Sequence, residues 1–303
     1  MKTSLDCIPC FFRQAIETAR ISGAGSVVQR RVLHELAEKL PAFSLKVPPP
    51  EIARTVYGIV KRATRIADPY LQMKKESNAR ALSMYPALQR SVSASDDPLR
   101  RAVGLAISGN IIDYGVTNAL DIRKELHVIL HPEQRFFGKG KTTFMHYRDF
   151  AAMVKNASNI LYLGDNAGET VFDRILIEEI MRSDPNKKII YAVRGFPIIN
   201  DALIEDAYQS GLHRVATVIS SGSDAPGTIL PLCSKDFRRI YRTADMIISK
   251  GQGNFETLSD QKKPIFFMLR AKCAVVSEHI GCRIGDVLLL SNRRINQMKK
   301  AAS

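Results

Sequence analysis

Hydrophobic positions along this chain follow two different rhythms. In the first half they recur at three- and four-residue spacing, the period of one helix face. The segments are 11–22 (FFRQAIETARIS), 26–40 (SVVQRRVLHELAEKL), 51–66 and 70–84. The GAG at 23–25 separates the first two, and Ser26 is placed to cap the second. PAFSLKVPPP at 41–50 is too proline-rich to be helical and is expected as a connector. Asp96-Asp97-Pro98 opens a further helix, because proline suits the first helical turn, and RRAVGLAIS carries it to about Gly109. No internal repeat is visible.

After about residue 155 short apolar runs alternate with longer helical patterns. The expected strands are NILYLG (159–164), KKIIYAV (187–193), RVATVIS (214–220), DMIIS (245–249), PIFFML (264–269) and DVLLL (286–290). TVFDRILIEEIMRS at 170–183 reads as an amphipathic helix between the first two. Buried strands alternating with helices predict an α/β fold with a mainly parallel sheet. The expected division is an all-helical subdomain over 1–155 and an α/β domain over 156–303. Ligands of such sheets bind beyond the carboxyl ends of the strands, so the residues after each apolar run carry the chemical interest.

Composition narrows the field. The chain has 303 residues, 45% hydrophobic and 24% charged, which excludes collagen-like and wholly disordered classes. No apolar run approaches the roughly 18 residues of a membrane span. Asp6 and Arg13 interrupt the N-terminal stretch, so no signal peptide is read there and a cytoplasmic protein is expected. The net charge of +14 is spread over both halves. A diffuse basic surface favours anionic partners of any kind or serves solubility alone. With no Lys/Arg block, no Trp and no recognition motif, specific nucleic-acid binding is not expected. The five cysteines are odd in number and argue against a disulfide framework. Only Cys7-x-x-Cys10 has a recognisable spacing, and a zinc site would need a second pair.

Three strand ends stand out. The first is Gly164-Asp165-Asn166-Ala167-Gly168-Glu169. Its glycines allow a tight turn, and it offers two carboxylates and an amide where helix capping would need one such residue. The second, Arg194-Gly195-Phe196-Pro197-Ile198-Ile199-Asn200-Asp201, comes one strand–helix–strand step later. Adjacent strand ends could then bring Asp165, Asn166 and Asp201 to one point, an oxygen-rich set suited to a hard divalent cation. Asn200 and Asp201 as a plain helix cap is the competing explanation. The third is Lys250-Gly251-Gln252-Gly253-Asn254-Phe255-Glu256, with Arg270 and Lys272 closing the next strand. Strand alternation would send Arg270 and Lys272 to one side, and with Lys250 they form a candidate phosphate clamp beside the metal, against the alternative of a solvated rim. The GKGKTT at 138–143 is not a phosphate-binding loop, because Arg135 occupies the required first glycine. The six histidines form no metal motif, and no G-x-S-x-G is present.

Taken together, GDNAGE, RGFPIIND and KGQGNFE resemble the domain-of-unknown-function 89 family, the metal-dependent damage-control phosphatases. Asp68-Pro69-Tyr70 with Asn78 and DPLRRAVGLAISGNIIDYG at 97–115 agree, and Cys7-x-x-Cys10 with Lys272-Cys273 points to the microbial branch carrying CxxC. Tyr114 departs from an expected Phe, and Cys282 lies outside the pattern. The resemblance implies a helical N-terminal part joined to a Rossmann-like sheet. It implies a divalent metal (Mg, Mn, Co or Ni) on Asp165, Asn166 and Asp201, and phosphate on Lys250 and Lys272. Asn110 and Asp113 would reach substrate from the helical part, and Glu169, Asn254 and Arg270 complete the expected substrate-binding set. Cys7, Cys10 and Cys273 are expected as structural or metal-linked thiols, not nucleophiles, with buried free thiols as the alternative. The expected activity is metal-dependent hydrolysis of a small phosphomonoester, a sugar phosphate or damaged phosphometabolite. The rivals are an S-adenosylmethionine-dependent methyltransferase and a non-enzymatic nucleic-acid binder.

Overall fold

A computed structural model describes residues 1–109, 127 and 146–293. The helical first half contains α1 (Cys7–Ile21), α2 (Ser26–Lys39), α3 (Pro49–Thr64), α4 (Leu71–Ser93) and α5 (Pro98–Ser108). Then come α6 (Tyr147–Asn156), β1 (Asn159–Leu163), α7 (Glu169–Ser183), β2 (Lys188–Val193), α8 (Ile204–Gln209) and β3 (Thr217–Ser220). The chain continues through α9 (Lys235–Thr243), β4 (Met246–Lys250), α10 (Gln252–Leu258), β5 (Ile265–Arg270), α11 (Ala274–Ile280) and β6 (Val287–Ser291).

All six expected strands form one sheet in the order β3-β2-β1-β4-β5-β6. Strands β1 to β5 run parallel, and β6 pairs antiparallel with β5 at the edge. Strand order reverses between β1 and β4, which opens a crevice at their carboxyl ends. Side-chain alternation divides the strands between two layers. Ile160, Tyr162, Tyr191 and Ile248 face a core shared with α4, α5, α6 and α7. Leu161, Leu163, Ile247 and Phe267 face the core under α9, α10 and α11. A third cluster, built from α1, α2 and α3, takes in Ile198 from the loop after β2.

Local chemistry explains where elements start and stop. The Asp97 carboxylate caps α5 through the Arg100 N–H at 3.0 Å, with Pro98 at the first helical position. Pro49 and Pro50, read as connector, instead form the first turn of α3, where a missing N–H costs nothing. Helix α4 runs past its expected end at 84 and contains Pro86. Met84, Leu88 and Val92 lie on one buried face across that proline, and their packing carries the helix through it. Strand β3 begins at Thr217 rather than 214, because Leu212–Arg214 form a 3-10 turn. Helix α7 is more than amphipathic: Val171, Phe172, Ile175, Leu176 and Ile177 are all buried between the sheet and α4 and α5.

Candidate active site

The loops after β1, β2 and β4 meet at the crevice. Asn166 and Asp201 pair as an isolated antiparallel bridge. The Ala167 N–H donates to the Asn200 carbonyl at 2.9 Å and the Ala202 N–H to the Asp165 carbonyl at 2.8 Å. Gly168, at φ +82°, turns the chain into α7, and its N–H donates to the Asn78 amide oxygen of α4 at 2.7 Å. Gly251, at φ +79°, passes so close to Asp165 that any Cβ would overlap its carboxylate. Glycine is required there by both backbone and space.

The side chains form a buried ionic lattice. The Asn166 amide nitrogen donates to Asp165 Oδ2 at 3.1 Å and Glu169 Oε1 at 2.8 Å, so its oxygen is the atom of this side chain that could hold a cation. Arg194 Nε donates to Asp201 Oδ2 at 2.6 Å, and its terminal nitrogen lies 3.7 Å from Asp165 Oδ1. Lys250, with no exposed surface, donates to Glu169 Oε2 at 2.9 Å and Asp173 Oδ1 at 2.8 Å. The Tyr162 and Tyr191 hydroxyls also donate to Asp173, each at 2.7 Å. Burial opposes the Lys250 charge, but Asp173 and Glu169 outweigh it and raise the pKa. Burial, then the Glu169 and Asp201 carboxylates, push Asp165 well above the ordinary carboxylate range against the pull of Lys272 and Arg194. Burial likewise raises Asp201 despite Arg194.

Above this lattice lies a cavity of about 710 Å³. Asp165, Asn166, Glu169 and Asp201 line its floor, and Lys272 and Glu256 its side. The far wall comes from α1 and α3, through residues such as Cys10, Gln14 and Tyr57. Burial lifts Glu256 to about 7.

The expected residues therefore separate. Asp165, Asn166 and Asp201 come together, with Glu169 beside them. Lys272 lines the cavity, whereas Lys250 lies behind it and is bound to carboxylates, where the expectation had placed it on phosphate. Asn254 also lies behind the loops: its amide nitrogen donates to the Lys250 carbonyl at 2.8 Å and its oxygen accepts from Arg194 at 3.2 Å. Arg270 does not line the cavity, since β5 ends there and strand alternation does not extend to Lys272. Cys7 and Cys10 lie in the first turn of α1, not before it, and with Cys273 they line the cavity as free, half-buried thiols. Asn110 and Asp113 lie outside the described residues; their neighbour Gly109 lines the cavity. Arg194 and Asp173 received no role from the sequence. Arg194 follows β2 directly, where the strand-end rule applies, and Asp173 lies four residues after Glu169 on the same helix face.

A model of the damage-control phosphatase ARMT1-like domain matches residues 3–288. The chain belongs to this family. A damage-control phosphatase of Pyrococcus horikoshii is 33% identical over 97% of this chain and 99% of its own. One of Archaeoglobus fulgidus is 33% identical over 95% and 98%. An uncharacterized protein of Methanocaldococcus jannaschii is 36% identical over 96% and 95%. The crystal structure of a DUF89 family protein from Pyrococcus horikoshii matches with a TM-score of 0.86 at 32% identity, covering 96% of this chain and 99% of that one.

The donor set of the buried lattice is one that a divalent cation would fit. Four buried carboxylates (Asp165, Glu169, Asp173 and Asp201) face two buried cations, Arg194 and Lys250, so the site is short of positive charge. Among the described residues no group of three or more His, Cys, Asp or Glu side chains forms a ready-made metal cage. Two carboxylates and one amide are a partial oxygen set, which suits an ion that keeps positions for water and substrate. The described thiols likewise form no cage. No helix among the described residues is long and apolar enough to cross a membrane.

Proposed function

We propose that the chain hydrolyses small phosphomonoesters, sugar phosphates or damaged phosphometabolites, with a divalent cation held by Asp165, Asn166 and Asp201. The observation that carries this reading is the convergence of those residues on the floor of a cavity of about 710 Å³ flanked by Lys272. The names of the relatives from Pyrococcus and Archaeoglobus support a metabolite-repair phosphatase. A cation bound there supplies Lewis-acid polarisation of a phosphoryl oxygen. Lys272 neutralises charge on the transferring phosphoryl group and orients it from the side. Arg194 fixes Asp201 and draws Asp165 towards it, so both carboxylates are preorganised. Lys250 holds Glu169 in place, and Glu169 in turn fixes the Asn166 amide. The floor groups, buried beneath the loops and the α1–α3 wall, are partly shielded from solvent, which strengthens their interactions.

The test is a phosphatase screen over phosphometabolites, with and without chelator, alongside S-adenosylmethionine and oligonucleotide binding. Turnover that disappears with EDTA and returns with Mg²⁺, Mn²⁺, Co²⁺ or Ni²⁺ is the expected result. Unchanged turnover in excess EDTA rejects the cation site. Adenosylmethionine binding without turnover selects the methyltransferase, and steeply salt-dependent oligonucleotide binding without turnover selects the nucleic-acid binder.

A further inference from the structure

Ile199 holds a backbone conformation that its side chain disfavours. Its φ is +39°, and the only other described non-glycine residue with positive φ is Arg65, which ends α3. A branched Cβ makes this region costly for isoleucine, whereas glycine and asparagine enter it readily. A tight turn imposes it: the Asp201 N–H donates to the Ile198 carbonyl at 3.1 Å, so Ile199 and Asn200 are the central residues. Turns with positive φ at the first central position ordinarily carry glycine, asparagine or aspartate there.

Packing overrides that preference. Ile198 is 6% exposed and belongs to the core of α1, α2 and α3, with Phe11, Ile52 and Val56, and Ile199 packs on the same core. The other side of the turn is clamped to the Asp165 loop, Asn200 accepting from Ala167 at 2.9 Å and Ala202 donating to Asp165 at 2.8 Å. The segment carrying Asp201 is therefore anchored at one end in the helical half and at the other in the β1 loop.

We propose that Ile199 is a positioning residue for the cation site. Its anchorage in the α1–α3 core selects the one turn geometry that sets Asp201 opposite Asn166, and so couples the helical half to the site. The inference rests on reading Asp165, Asn166 and Asp201 as cation ligands. Strain persists where the surroundings over-determine it, and here the surroundings are the α1–α3 core on one side and the hydrogen-bonded β1 loop on the other.

Three variants of the full chain separate anchorage from strain. Ile199→Val keeps the anchor, Ile199→Ala keeps the disfavoured φ without it, and Ile199→Gly removes both. Mn²⁺ binding to the metal-free protein is measured by calorimetry, with kcat, KM and the metal-free Tm alongside. The expected Mn²⁺ affinity is near wild type for Val, lower for Ala and about tenfold weaker for Gly, the scale seen when support behind a metal ligand is lost. The Gly variant should keep a metal-free Tm close to wild type, since strain relief offsets lost packing, and its kcat should fall with its metal affinity. If it fails to fold, the Ala variant carries the comparison. Wild-type Mn²⁺ affinity in the folded Ala and Gly variants overturns this inference and leaves the cation site standing. A wild-type chain that binds no Mn²⁺ overturns the cation reading and this inference together.

Discussion

The floor and the far wall of one cavity are built on opposite principles. The floor, from the loops after β1, β2 and β4, is charged and buried, with each carboxylate held by an arginine, lysine, amide or tyrosine. The thiol stretch of the wall, Cys7 and Cys10 of α1 with Cys273, is half-buried and free of disulfides, with long contacts from Gln14 at 3.4 Å and Arg13 at 3.7 Å to the Cys10 sulfur and from Gln252 at 3.7 Å to the Cys273 sulfur. Buried charge persists only where partners surround it, so the floor has one workable arrangement. Half-buried thiols carry no such demand. The same contrast divides two lysines that looked alike in the sequence. Lys250 is bound inside the lattice, and Lys272 is exposed at the cavity.

If the floor is the chemical site, its substitutions must dominate. Asp201→Ala and Asp165→Ala should cut metal-dependent turnover by about 10²–10³-fold or more, the scale for removing a key electrostatic group. The metal-free Asp165→Asn protein should melt higher than wild type, because it removes a carboxylate crowded by Glu169 and Asp201. Kinetics paired with a thermal melt checks both, and full activity in either Ala variant breaks the contrast.

The lysines come next. Lys250→Ala leaves Glu169 and Asp173 buried without their cation and should cost about 3–5 kcal/mol of stability by denaturant titration. Lys272→Ala should leave the denaturation midpoint unchanged while weakening phosphate or product inhibition. A Lys250 variant of wild-type stability would show that the lattice does not depend on it.

Glu256 sharpens the comparison through pH. Its folded pKa, about 7, lies above the ordinary 4.5 because of burial. Folding therefore takes up a proton between those values, so the stability it contributes is full below the lower one and is lost as pH rises through the upper one. The slope is at most about 1.4 kcal/mol per pH unit from this group. Asp165 and Asp201 are also raised and add slope of the same sign. Glu256→Gln should flatten the fall in Tm between pH 5 and 8 without abolishing it; an unchanged slope would place the effect in the floor alone.

The smallest effect is expected at the wall. Cys7→Ser with Cys10→Ser should retain near-normal turnover and lose about 1 kcal/mol or less, since partly exposed positions contribute little. Loss of all turnover with fold and metal intact would make the thiols part of the chemistry.

Much of this molecule was legible from the chain. Short apolar runs located all six strands, because a parallel sheet covered on both faces buries nearly every residue of its strands, while the 3.6-residue period marked the helices. The strand-end rule pointed to Asp165, Asn166 and Asp201, because open parallel sheets place their loops along one edge. Boundaries set by packing were less visible, as at Pro86, which the core carries through α4. Roles shared between distant residues were also hidden. Asp173 reads as one more polar position in an apolar helix until Lys250, Tyr162 and Tyr191 close around it.

The sequence by itself determined the order of the elements, the apolar runs that become strands and the residue types at the tips of β1, β2 and β4. Those depend on local periodicity and on turn chemistry carried by neighbouring residues. Only the tertiary structure decided which lysine is inside the lattice, that Arg194 holds Asp201, and that the CxxC pair faces the cavity. It also decided that Ile198 and Ile199 are held by helices far away in the chain. The physical reason is that the field at a buried charge is set by all the groups packed around it, and these arrive from elements whose separation in sequence carries no information about their distance in space.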